Sequence, residues 1–176
     1  GVSFRSVTLT TIVDAVGFDL DNTLYPPSQE VNGRIQDYIC EQASRQLGRD
    51  YATVREEFSR HYARLESGGR SLMALGIEEK IAKEMVQIAL EEADVASVLQ
   101  RDERLRELLQ ELHSVYQLFL ITSSRERLAQ KKLRALGIEE ELFHPRLYQE
   151  SAYKRHDGSA FRHVSEMLGL PLERMM

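Results

Sequence analysis

Two aspartates, Asp19 and Asp21, stand two positions apart at the end of a short apolar run, residues 12–20 (IVDAVGFDL). In an extended strand alternate side chains share a face, so the two carboxylates would lie together. Carboxylates at one strand end repel unless a proton or a cation sits between them. A hard, oxygen-seeking ion such as Mg²⁺ resolves that repulsion. One carboxylate could then attack an electrophile while the other gives up and recovers a proton. A second group, Thr122, Ser123 and Ser124, follows the apolar run YQLFLI. Hydroxyls beside the backbone N–H groups of a helix start can hold an anion; taken alone, Thr122 and Ser123 read first as a helix cap. Lys154 lies in a turn before the last helical pattern and could set a compact ammonium against a phosphate or a carboxylate pair. By itself it would be ordinary surface charge, one of 23 Lys and Arg residues. The order along the chain sets these residues apart: acids after a strand, hydroxyls after a strand, lysine before a helix.

The elements that must position them can be read from periodicity. Residues 12–20 resemble a buried parallel strand with a polar exit, closed by Pro26 and Pro27. The pattern then turns helical. Val31, Ile35, Tyr38, Ile39 and Ala43 recur at helical spacing, with Gly48 as a stop. Thr53 and Glu56 read as a capping box ahead of Val54, Phe58, Tyr62 and Leu65. Ser67, Gly68 and Gly69 read as a loop, and Ile81, Met85, Ile88 and Ala89 form a third stripe. Three helices in succession predict a self-packed helical unit. From about residue 96 the pattern alternates again: a helix capped by Asp102 and carrying Leu105, Leu108, Leu109 and Leu112, then the strand at 116–122. A helix with a Ser123–Glu126 capping box follows and ends at Gly137; next come a possible short strand in 143–148 and a last helix stopped by Gly169 and Pro171. Strands alternating with helices predict an α/β fold with a Rossmann-like parallel sheet covered on both faces.

Composition narrows the function classes. A chain of 176 residues suits one domain, or a small domain carrying an insertion. Hydrophobic residues make up 42 %, enough for a packed core. The 28 acidic residues outweigh the 23 basic ones for a net charge of −5, which opposes binding along a nucleic-acid polymer. A small phosphorylated substrate stays compatible, since its site can be locally positive. Cys40 is the only cysteine, so no intrachain disulfide or thiol cluster can form. No apolar stretch approaches the ~20 residues needed to span a bilayer, and no secretory signal is present. A cytoplasmic protein with no membrane partner is expected.

These residues carry a resemblance. FDLDNTLYPP resembles the first motif of the haloacid dehalogenase superfamily of phosphohydrolases, LFLITSS its second, and Lys154 in YKRHDGSAF its third-motif lysine. The resemblance runs from about Val16 through nearly the whole chain. It implies a Rossmann-like core over 12–25 and 98–176 with an inserted α-helical cap over 26–97, and within the superfamily it is most similar to the pyrimidine 5′-nucleotidase-like branch. By that resemblance Asp19 is the nucleophile and a Mg²⁺ ligand. Asp21 is the general acid and then the base, touching Mg²⁺ through its backbone carbonyl. Thr122 and the Ser123 amide hold phosphoryl oxygens, and Lys154 balances charge. Asp21 also favours a phosphatase over a dehalogenase, because an alkoxide leaving group needs a proton and a halide does not. Tyr25 and residues 71–75 are candidates for substrate contact in the cap, with ordinary packing the simpler role. Sugar-phosphate or phosphoglycolate hydrolysis would share the chemistry and differ in cap contacts.

The sequence departs from the family pattern in three places. Ser123 stands where the branch often has asparagine, and the turn after Lys154 lacks the usual prolines. His156 and Asp157 in that turn read as cap or surface residues. The family continues beyond LGLPLERMM into a strand with an acidic pair, a fourth motif absent from these 176 residues. That implies a core incomplete at its C-terminus, an unpaired edge on the first strand, one metal carboxylate fewer, and weak or absent turnover. The start at Gly1 and the stop at Met176 are together read as marking a fragment. A non-catalytic relative that binds a partner or phosphate without turnover is the alternative function.

Overall fold

The structure, a computed structural model, describes residues 12–151 and 157–176. These residues divide into two units. One takes the chain through Leu24, then Asp102–Ala129 and Gly137–Met176; the other takes Tyr25–Arg101 and Gln130–Leu136.

The second unit is built on four helices, α1 (Gln29–Leu47), α2 (Tyr51–Leu65), α3 (Gly68–Ala74) and α4 (Glu79–Glu92). Their ends follow capping chemistry. Ser28 Oγ accepts the N–H groups of Glu30 and Val31, and Gly48 closes α1 at φ 61°. The predicted Thr53–Glu56 box is displaced: Asp50 caps α2, accepting from the Thr53 N–H at 3.1 Å. Asp and Thr both favour such starts, and the carboxylate is the stronger acceptor at a helix N-terminus. The loop expected at 67–69 is also corrected. Ser67 caps α3 by accepting the Arg70 N–H, and both glycines lie within that helix. At Gly68 a Cβ would sit 3.4 Å from Val86 Cγ2, close to ordinary van der Waals contact. Four helices therefore form where three are predicted. Their core gathers Ile39, Cys40, Ala43, Val54, Phe58 and Leu72, with Phe58 and Tyr62 stacked at 5.9 Å. Ile88 stays 46 % exposed, because α4 presents an apolar stripe wider than the face it buries.

The first unit holds a three-stranded parallel sheet in the order β1 (Ala15–Phe18), β2 (Gln117–Ile121), β3 (Arg146–Leu147). Its helices are α5 (Glu103–Val115) and α7 (Ser159–Leu168); α6 (Glu126–Leu136) starts here. Asp102 caps α5 as predicted, accepting the Leu105 N–H at 3.0 Å. Residues 118–121 of β2 are buried on both faces, the signature of a covered parallel strand. In register, Phe18 stands opposite Leu120, and Gly17 opposite Phe119, whose ring fills the space a side chain at Gly17 would take. Phe18 also meets Phe143 edge to face at 6.0 Å. All strands are shorter than the apolar runs that predict them; β3 has two residues.

The other edge of β1 is not bare, contrary to expectation. The Met176 N–H donates to Ala15 O at 2.9 Å, the Gly17 N–H donates to Met176 O, and the Asp14 N–H donates to Arg174 O at 2.8 Å. Ala15 and Met175 form a parallel bridge, and Arg174 pairs with Asp14. Met175 packs on the cluster of Ala15, Phe119, Ile121, Leu147, Ala160 and Val164. Residues 174–176 thus occupy the position of a further parallel strand, because β1 offers unpaired ladder groups and the apolar Met175 has a core to cover. The fold is α/β and Rossmann-like, with the sheet open. Among the described residues no helix is long and apolar enough to cross a membrane.

Candidate active site

Parallel strands put all their carboxyl ends on one side, where ligands of open α/β sheets collect. Asp19 follows β1 directly, and the chain then turns. The Thr23 and Leu24 N–H groups both donate to Leu20 O, and Asn22 takes a left-handed φ of 59° that asparagine tolerates well. Asp19 Oδ1 accepts the N–H of Leu20 at 2.8 Å. Asp21, partly buried, accepts a hydrogen bond on Oδ2 from Ser124 Oγ at 2.8 Å. The first acidic pair and the hydroxyl cluster after β2, 103 positions apart, are therefore joined by a direct bond.

Thr122 ends β2 and is buried, its N–H donating to Leu147 O at 2.9 Å. Its Oγ1 accepts the Ser124 N–H at 3.1 Å, a bond that does not use the hydroxyl's own proton. Ser123 lies exposed beside it. The predicted Ser123–Glu126 capping box does not form. The helix begins at Glu126, whose N–H donates to both Glu150 carboxylate oxygens, at 3.1 and 3.3 Å. The Glu126 N–H at this helix start is thus committed within the protein, a narrower anion site than the sequence pattern predicts. Glu150 also supplies the negative charge that a helix N-terminus favours. Glu150→Ala is expected to cost about 1 kcal/mol, and Glu150→Gln less than half of that, because the amide keeps an acceptor. Denaturant midpoints measure both; equal midpoints for the three proteins would exclude Glu150 as the cap.

Glu150 belongs to the segment after β3, whose Gln149 N–H donates to Ser124 O at 3.0 Å. Sequence reasoning missed both roles of this segment, since nothing local marks a glutamate that caps a helix 24 positions earlier. Tyr148, beside it, has its phenol pushed up chiefly by burial. Lys154 and His156 lie outside the described residues. Residues 71–75 lie in the helical unit. Leu72 and Leu75 belong to the core of the helical unit, and Ser71 Oγ donates to Ser67 O at 2.7 Å, which favours packing as their role. Tyr25 is likewise buried. Cys40 lies in the same helical core, where burial pushes its thiol up to about 11, so it is protonated near neutrality and no nucleophile.

A model of the haloacid dehalogenase-like hydrolases matches residues 13–176. The chain belongs to that family. Solved structures agree on the architecture. A protein assigned as a β-phosphoglucomutase from Thermotoga maritima is similar at TM-score 0.61 and 22 % identity, over 93 % of this chain and 74 % of that one. A haloacid dehalogenase-like family hydrolase from Streptococcus pneumoniae gives 0.58 and 23 %, over 93 % and 73 %. The L-2-haloacid dehalogenase of Xanthobacter autotrophicus gives 0.51 and 18 %, over 93 % and 68 %. Identities this low carry the fold alone. Structures with this architecture thus carry mutase and dehalogenase assignments, and the reaction has to be argued from the site residues.

Proposed function

We propose that the protein is a Mg²⁺-dependent phosphomonoester hydrolase that works through an aspartyl-phosphate on Asp19, acting on a nucleotide or another small phosphate. The observation that carries this reading is the Asp21–Ser124 bond, which ties an acid two residues after the nucleophile to the hydroxyl cluster after β2. A site releasing halide has no need of that acid; a site releasing an alkoxide does.

The donor set fits the metal. Among the described residues no three His, Cys, Asp or Glu side chains gather in a cage. Mg²⁺ is commonly held by one or two carboxylates with retained waters and substrate phosphate oxygens. Asp19 through its carboxylate and Asp21 through its backbone carbonyl would hold it. The ion supplies neutralisation of phosphoryl charge and orients the group for in-line attack. Asp19 attacks phosphorus, and the phosphorus–ester oxygen bond breaks as Asp21 gives its proton to the leaving oxygen. A water then attacks the phosphorus while Asp21 takes its proton, the Asp19–phosphorus bond breaks, and inorganic phosphate leaves. Thr122 and the Ser123 N–H bind phosphoryl oxygens throughout. By resemblance Lys154 adds a positive charge to the phosphate. The overall charge of −5 disfavours a polynucleotide substrate and leaves a small phosphate with Mg²⁺ acceptable.

A panel of nucleoside monophosphates, sugar phosphates and simple alkyl phosphates, assayed for phosphate release with Mg²⁺ and with EDTA, tests the reading. Release that requires Mg²⁺, with beryllofluoride trapped on Asp19, is expected. No release from any ester and no beryllofluoride uptake at saturating Mg²⁺ would replace it with the non-catalytic alternative.

A further inference from the structure

We propose that Ser124 is a positioning residue for proton transfer: its hydroxyl holds the Asp21 carboxyl in the orientation used by the leaving group. The inference rests on the reading of Asp21 as general acid and base, and adds a residue to it. Asp21 sits in the turn after β1, among exposed neighbours Asn22 and Thr23, on backbone that no strand pairing restrains. An aspartate carboxyl has several staggered rotamers, and only some would aim it at a bound ester. Ser124 is held by bonds from both of its backbone polar groups. Its N–H donates to Thr122 Oγ1 at 3.1 Å, and its carbonyl accepts the Gln149 N–H at 3.0 Å. Thr122 is itself fixed to β3 through Leu147 O at 2.9 Å. The bond from Ser124 Oγ to Asp21 Oδ2, 2.8 Å long, therefore transfers the rigidity of the β2–β3 ladder to the carboxyl.

Three consequences follow from this chemistry. Loss of the hydroxyl should slow the step that needs the proton and leave phosphate binding, which uses Thr122 and the Ser123 N–H, nearly unchanged. The loss should depend on the leaving group, because an alkoxide must be protonated as it departs and p-nitrophenolate departs without help. Threonine keeps the hydroxyl and should restore the function.

The test is steady-state hydrolysis of an alkyl phosphate and of p-nitrophenyl phosphate by wild type, Ser124→Ala and Ser124→Thr, with thermal melts to confirm folding. Ser124→Ala is expected to lower kcat on the alkyl ester about ten- to a hundredfold and on p-nitrophenyl phosphate no more than about threefold, within the range a general acid contributes. KM should stay within about twofold on both, since binding groups are untouched. Ser124→Thr should recover most of the alkyl-ester rate. Equal losses on both esters, no loss on either, or failure of threonine to rescue would overturn the role of Ser124 while leaving the phosphatase reading intact. A wild-type protein that releases no phosphate from any ester of the panel and takes up no beryllofluoride would overturn both.

Discussion

Asp19→Asn is expected to reduce phosphate-ester hydrolysis by on the order of 10⁴-fold or more, the scale on which loss of a covalent nucleophile registers. The substitution is close to isosteric, and the fold should tolerate it. Asp19 Oδ1 accepts the Leu20 N–H, and an asparagine carbonyl oxygen can accept the same bond. On the proposed mechanism, what is lost is the anionic oxygen that forms the bond to phosphorus, together with the side-chain carboxylate that would hold Mg²⁺. Rapid-quench analysis with a phosphorylated substrate should show no phosphoprotein in the variant and an acyl phosphate in wild type. Retention of more than about a tenth of the wild-type rate would assign the nucleophile elsewhere, because a covalent nucleophile is not dispensable to that degree.

Gly17→Ala is the second large effect, and it acts on stability. A Cβ at Gly17 would lie 2.2 and 2.3 Å from Cε2 and Cζ of Phe119 and 2.9 Å from Cδ2. Phe119 is fully buried in the cluster under the sheet, so its ring has no open space to move into. Either β1 separates from β2 or the ring adopts a strained rotamer. We expect a loss of about 3 kcal/mol, the upper part of the range for overpacking. Phe119→Leu alone should also destabilise, through lost packing. Combined with Gly17→Ala it should cost less than the two changes added, because the smaller side chain makes room for the new methyl. Chemical denaturation of the four proteins measures the coupling. Strict additivity would show that the ring is not what excludes a side chain at position 17.

Much of this arrangement is legible in the residues. The apolar runs ending in Asp19 and Thr122 place the chemistry at strand ends, because side chains buried on both faces can only be followed by an exit loop. Gly48, Asp102 and Gly169 mark helix ends by local rules, and the structure follows them. What escaped the sequence was nonlocal. Ser123 and Glu126 satisfy a capping pattern, but the start of α6 takes its cap from Glu150, and the neighbouring Ser124 hydroxyl goes to Asp21. A local pattern cannot weigh a partner that arrives from another strand. Gly68 and Gly69 read as a loop because their helix propensity is poor, by about 1 kcal/mol per glycine; the Ser67 cap nonetheless starts a helix there. The short strand β3 is hidden for a related reason. Phe143 and Tyr148 are buried without being in the strand, so the apolar pattern extends well past the two residues that pair.

The Ser124–Asp21 bond spans 103 positions of chain, with all of α1 to α5 in between. Closing a loop of that length costs about 4 kcal/mol of chain entropy before any contact rewards it. The helices of the inserted unit form from neighbours close in sequence and need no such closure, and topologies of this kind gain their long-range strand pairs late. The carboxyl pair and the hydroxyl cluster therefore meet only once the sheet has closed. Helix content is expected to return early during refolding, with the proposed catalytic arrangement the last to form.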